Sequence, residues 1–214
     1  MSRAGLRAWE IGAGWLALAT LMAVQPAVAH VPIVRGRLVD LVQRSDVVVI
    51  GTADRVQPVG PRLIETTMRV ELLLLGSSPG STVTFQGLTR FAPGARYVVF
   101  LHRTGNGFEG TQASGTVFPA SRDNDADYRA TIEAIRHALV AELAHQTDAL
   151  RAALIPALSS SAPELRYHAA LELSALAQDG HGPSAAERRS LQQLLSSPAC
   201  DPALQPLVAH LLAP

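Results

Sequence analysis

Asp46-Val47-Val48-Val49-Ile50-Gly51 is the stretch whose reading decides the fold. Four consecutive β-branched residues lose rotamer freedom in a helix and fit a pleated surface, so the run predicts a strand. Its apolar character does not alternate, which suits a strand buried on both faces or the wall of a barrel. Working outward, Arg62–Leu75 alternates through Ile64, Thr66, Met68, Val70 and Leu72 and ends in four leucines, Leu72–Leu75. Gly76-Ser77-Ser78-Pro79-Gly80 has the composition of a turn, and Thr82–Phe85 follows as a third strand. Pro93-Gly94 marks another turn before a fourth strand, Tyr97–Leu101. Asn106-Gly107 tolerates the positive φ angles of a tight hairpin and should lead into a fifth strand around Phe108–Phe118. Leu38, Leu41 and Val42 recur at helical spacing ahead of the first strand. Five short strands at this spacing predict a small closed or partly open barrel, with a two-sheet sandwich as the alternative.

Near residue 122 the apolar period changes from two to 3.6. Tyr128, Ile132, Ile135, Leu139, Val140 and Leu143 make one stripe. Further helices are expected near 148–158, 163–178, 184–196 and 202–212, separated by Ser159-Ser160-Ser161, Gly180-His181-Gly182-Pro183 and Ser196-Ser197-Pro198. The expected fold class is therefore α+β in two parts, a five-stranded barrel over 30–121 and an all-α region over 122–214.

Residues 1–29 have the three parts of a secretory signal peptide. Arg3 and Arg7 open it, an apolar stretch runs from Ile11 to Val24, and Ala27-Val28-Ala29 supplies a cleavage site before His30; Glu10 departs from a clean basic start. The apolar stretch is shorter than the roughly 20 residues of a membrane span. Export to the periplasm or cell exterior is the expectation, with no span after cleavage. Cleavage removes Arg3, Arg7 and Glu10, leaving 16 Arg and 17 acidic residues. All 18 basic residues are Arg, which together with the abundance of Ala points to a GC-rich bacterial genome. A net charge near zero without a basic block argues against a nucleic-acid partner. Cys200 is the only cysteine, so no internal disulfide can form; its apolar neighbours predict a quiet buried thiol.

Three stretches carry a resemblance: Leu41–Gly51 (LVQRSDVVVIG), Val70–Gly76 (VELLLLG) and Phe91–Leu101 (FAPGARYVVFL). Over roughly residues 38–118 the chain resembles bacterial secreted domains with the OB-type barrel of the tissue-inhibitor-of-metalloproteinases superfamily. The resemblance implies an OB-like barrel. The animal inhibitors place an amino-terminal cysteine on the protease zinc, whereas this chain has His30 there, so inhibition is not carried over. Leu154–Leu158 followed by Ala162–Leu173 resembles a HEAT-type helical repeat. Only one convincing copy is visible, which implies helices that cap the barrel or form a small bundle rather than a long array.

Candidate chemistry is sparse. Asp123-Asn124-Asp125-Ala126-Asp127 begins like a calcium loop, but Tyr128 stands where Gly is needed and Ala134 where the bidentate Glu belongs. Asp125 or Asp127 capping the following helix is the simpler expectation. An amino-terminal His30 offers amine and imidazole to copper, with His102 as the nearest candidate partner. Glu142 and His145 form an E-x-x-H, although a di-iron bundle needs a second pair and further carboxylates. His168 is expected to be a packed or surface residue. No H-E-x-x-H, G-x-S-x-G, Walker or Rossmann motif occurs. No catalytic residue, metal ligand or cofactor is assigned. The expected function is an exported, non-catalytic binding or structural module with a protein partner, the alternatives being copper or calcium binding and metalloprotease inhibition. Exposure of Leu88, Phe91 and Phe118 together would mark a binding face.

Overall fold

The structure, a computed structural model, describes residues 37–111, 116–198 and 200–213. The expected signal peptide, its cleavage point and His30 lie outside these residues. In chain order the elements are α1 (Leu38–Arg44), β1 (Val47–Pro58), β2 (Ile64–Leu75), β3 (Thr82–Gly87), β4 (Arg96–Thr104), β5 (Gly107–Gly110) and β6 (Phe118–Pro119). Then come α2 (Asp125–Leu139), α3 (Leu143–Ala157), α4 (Pro163–Gln178), α5 (Ala185–Ser196) and α6 (Gln205–Leu212). No described helix is long and apolar enough to cross a membrane.

The β-branched run lies in β1, which pairs antiparallel with β2 on one side and with β4 on the other. β2 also pairs with β3, and β4 with β5. β3 and β5 then meet in parallel, Phe85 opposite Phe108, and close a five-stranded barrel in the order β1-β2-β3-β5-β4. The barrel and the α+β class are as expected; a sandwich is not formed. The fifth strand differs from its expected extent. It is split into β5 and β6, both paired with β4, and residues 112–115 between them lie outside the described set.

Val47, Val48, Val49 and Ile50 are all fully buried, and successive side chains enter different layers. Val47 and Val49 face the barrel interior with Met68, Phe85, Val99 and Leu101. Val48 and Ile50 face outward with Val98 and Phe100, beneath Leu38 and Leu41 of α1, Ile132 of α2 and Leu165 of α4. The helices thus lie on the barrel wall, and one apolar layer joins the two parts. The interior is filled by aromatics: Phe91, from the β3–β4 connection, sits edge-on to Tyr97 at 4.9 Å and to Phe85 at 5.9 Å. Phe91 and Phe118 are buried and only Leu88 is exposed, so these three form no binding face.

Two motif glycines have steric reasons. A Cβ on Gly51 would collide with the Arg69 carbonyl and lie 2.7 Å from Met68 Cγ, beside a register shift in the β1–β2 pairing. Gly76 has φ +84° and abuts the Asp46 carbonyl, where a side chain would be both strained and blocked.

Among the helices, Tyr128, Ile132 and Ile135 are buried as expected, but Val140 and Leu143 are 72% and 88% exposed. α2 stops at Leu139, Val140 occupies its carboxyl cap, and α3 starts afresh at Leu143. The turn between them breaks the 3.6-residue phase, so the expected stripe ends at Leu139. α3 also begins five residues before the expected 148, because Leu143, expected to extend the α2 stripe, instead opens the first turn of α3 and faces solvent. Cys200 is buried, as expected, with its Sγ 3.8 Å from the Asp201 carbonyl oxygen.

If β1 is buried on both faces, Ile50→Ala should cost about 2–5 kcal/mol in urea unfolding. Leu143→Ala should cost under about 0.5 kcal/mol. Comparable losses in the two variants would contradict a two-sided wall.

Candidate functional site

Where the helices stop covering the barrel, α2 and β2 leave a seam. One end is a groove of about 590 Å³ lined by Arg69, Glu71, Leu72, Arg96, Arg122 and Asp125. The other, about 220 Å³, is lined by Leu73, Leu74, Leu75, Arg129, Glu133, Arg136 and His137. β2 supplies one wall of each and α2 the other. At a register shift in the β1–β2 pairing Leu74 and Leu75 both pack towards the helices, while Leu73 packs towards the barrel interior. A groove touching Leu73, Leu74 and Leu75 together therefore runs along the strand's edge. β3 pairs with β2 over Ile64–Arg69 and Val70 N–H donates to the Ser81 carbonyl at 2.9 Å; beyond Val70 no strand among the described residues pairs with that edge.

Arg96 is the fixed point of the seam. Its Nε donates to Glu71 Oε2 at 2.8 Å, and its two terminal nitrogens donate to the Asp125 carboxylate at 2.6 and 2.8 Å. The Thr52 hydroxyl donates to the other Glu71 oxygen at 2.6 Å. The Thr52 hydroxyl and then Arg96 hold the Glu71 carboxyl below its usual range. This network joins β1, β2, β4 and α2, and it uses up the charge of Arg96. Arg122, Arg129 and Arg136 differ. All three are exposed, and among the described residues no carboxylate lies within 4.0 Å of any of them. They recur every seven residues. Arg129 and Arg136 accordingly lie on one face of α2, about 10.5 Å apart along its axis.

The sequence-derived candidates are placed as follows. Asp125 and Asp127 do begin α2, where negative charge suits the helix dipole, but neither carboxylate caps it. Asp125 grips Arg96. Asp127 Oδ2 accepts from Ser160 Oγ at 2.8 Å, Ser161 N at 2.7 Å and Ser161 Oγ at 2.8 Å, tying α2 to the α3–α4 turn. Burial alone would raise the Asp127 carboxyl, but the Ser160 and Ser161 bonds outweigh it and hold it low. Asn124 accepts from Ser121 N–H at 2.8 Å instead of facing a common centre. The expected cap is thus replaced by two long-range ties, which a local reading cannot foresee. His102 pairs through Nδ1 with Asp46 Oδ2 at 2.8 Å, the same oxygen that accepts Arg103 N–H at 2.7 Å. The Arg103 N–H, more than His102, lowers the Asp46 carboxyl. Glu142 precedes α3 and His145 sits in its first turn, both exposed. His168 is buried in α4, its ring 4.6 Å from that of Phe118. Among the described residues no three His, Cys, Asp or Glu side chains are grouped to hold a metal ion.

The seam arginines were missed by motif reading. Their signal was the seven-residue spacing Arg122, Arg129, Arg136, offset from the buried Tyr128, Ile132 and Ile135. No protein-family model matches the chain, and no curated protein matches it.

A carboxyl held low in the folded state adds stability above its unfolded pKa of about 3.9, and that contribution is lost as pH falls through the folded value. Asp127→Asn should therefore destabilise by about 1–3 kcal/mol at neutral pH. The gap to wild type should narrow in melts as pH falls below the unfolded value and through the lower folded one. A gap independent of pH would contradict the role assigned to the Asp127 charge.

Proposed function

We propose that this protein is an exported, non-catalytic binding module of a bacterial cell envelope that works by protein–protein interaction. The observation that carries the proposal is the α2–β2 seam. It combines three exposed arginines that have no carboxylate within 4.0 Å among the described residues, a row of half-buried leucines and a strand edge with no described strand partner, features that serve recognition. The aromatic filling of the barrel by Phe85, Phe91 and Tyr97 favours a ligand bound outside the barrel. Export is inferred from the signal-like residues 1–29.

The resemblance to OB-type barrels of the tissue-inhibitor superfamily is supported by the closure order β1-β2-β3-β5-β4 and the parallel β3–β5 pair. The motif positions have matching roles: Ser45 Oγ donates to the Leu41 carbonyl at 2.6 Å, Asp46 fastens β4, and Gly51 and Gly76 fit where side chains would not. The packed pair α3 and α4 supports the HEAT-like reading of Leu154–Leu173, since Ala157, Leu158, Leu165 and Ala169 share one buried layer.

The test is affinity capture from envelope extract of the source bacterium. The baits are the wild type and an Arg122→Glu/Arg129→Glu/Arg136→Glu variant confirmed to be folded. One stoichiometric partner should be recovered by wild type and lost with the variant. Recovery of nothing specific, or purified protein that turns over a substrate, would sink the proposal.

A further inference from the structure

We infer that the seam binds an extended acidic peptide segment of a partner, which joins the barrel as an added strand along the free edge of β2. The inference rests on the binding reading above and specifies its ligand. Three observations point the same way. First, β2 continues to Leu75 while its pairing with β3 ends at Arg69, so Glu71–Leu75 offers an edge to which an incoming chain can hydrogen-bond. Second, Leu73, Leu74 and Leu75 line the groove beside that edge, and apolar side chains on alternate positions of a strand would lie against them. Third, the facing wall of α2 carries Arg129 and Arg136 with no carboxylate within 4.0 Å among the described residues, and Arg122 continues the row.

Charge decides the partner's chemistry. The seam holds Arg69, Arg96, Arg122, Arg129 and Arg136 against Glu71, Asp125, Glu133 and the Asp54 that pairs with Arg69 at 3.8 Å, a small local excess of positive charge on a chain of net charge zero. Arg96 offsets only one of the two carboxylates it binds, so the positive charge is presented by Arg122 and by Arg129 and Arg136 of α2. Same-face residues of an extended chain recur every ~7 Å or ~13 Å. Flexible arginines about 10.5 Å apart along α2 can reach acids at either spacing. A segment alternating acidic and apolar residues satisfies both walls, its acids towards α2 and its apolar side chains against the leucines. A nucleic-acid strand or an anionic membrane would satisfy the arginines but leave the strand edge and the leucine row unused.

The probe is a fluorescent heptapeptide, Glu-Val-Glu-Val-Glu-Val-Glu, titrated by anisotropy at low salt against the full exported chain. Saturable binding is expected, weakened at least about tenfold by Arg129→Glu/Arg136→Glu, with no binding of the Arg-Val counterpart to the wild type. Two further peptides, backbone N-methylated at all Glu or at all Val, test main-chain pairing; one of the two should lose binding, because only one set of amides faces β2. No saturation by about millimolar peptide, equal binding of the Arg-Val peptide, or indifference to both N-methylated forms would overturn the inference. So would tighter binding of an oligothymidylate or of phosphatidylglycerol vesicles. An envelope partner that depends on the arginines while the peptide does not bind overturns only the added strand. Loss of the envelope partner itself defeats the broader reading.

Discussion

Burial of β1 on both of its faces is the constraint on which the rest of the structure depends. A barrel strand has one face inside and one outside, and only the inside is sheltered by the barrel itself. Val48, Ile50, Val98 and Phe100 lie on the outer face of β1 and β4, and each is fully buried. Burying a side chain of this size is worth about 1.5–3 kcal/mol. Four of them together are comparable with the whole stability of an ordinary domain, about 5–15 kcal/mol. The helices are therefore the second half of the barrel's core rather than an appendage. This also explains why α1, which comes before the barrel in sequence, packs with α2 and α4, which come after it.

Polar ties fasten this layer at its margins. Glu172 on α4 is buried, and it accepts Val39 N–H at 3.1 Å and Arg37 Nε at 3.1 Å, meeting the amino end of α1. Burial pushes its carboxyl up despite these bonds. Its charge therefore contributes with the opposite sign to that of Asp127. A raised carboxyl favours the folded state below its unfolded pKa, and this support fades as pH climbs through the folded value. Arg96 and Asp127 fasten the amino end of α2 to the barrel and to the α3–α4 turn. In the helical region Arg166 joins the Ser160 carbonyl to Asp201, and Arg151 joins Asp148 to Glu187. Each tie links elements distant in sequence, and each arginine has its positive charge met by a carboxylate.

The seam is what remains where this covering ends. The helices shelter β4 and β1, and α2 reaches only the near side of β2. Beyond it β3 has separated from β2, leaving Glu71–Leu75 with one open edge. The leucines there are half-buried rather than buried, and Arg129 and Arg136 of α2 face them with no carboxylate within 4.0 Å among the described residues. Three exposed arginines in one row beside these leucines combine charge with apolar surface, as interfaces enriched in Arg do.

Much of this was written in the sequence. The run Val47–Ile50 announces a strand with two buried faces, Asn106-Gly107 a hairpin, and the period change near residue 122 the shift from strands to helices. These signals are local, because β-branching, turn chemistry and helical period act within a few residues. Only the tertiary structure decided that the fifth strand is split into β5 and β6, that the α2 stripe ends at Leu139, and that Asp125 and Asp127 reach outward instead of capping. It alone also decided that Arg122, Arg129 and Arg136 stand beside a strand edge some 50–60 residues earlier in the chain. Such choices are settled by which partners the closed barrel brings within hydrogen-bonding distance, and no neighbouring residue in the sequence carries that information.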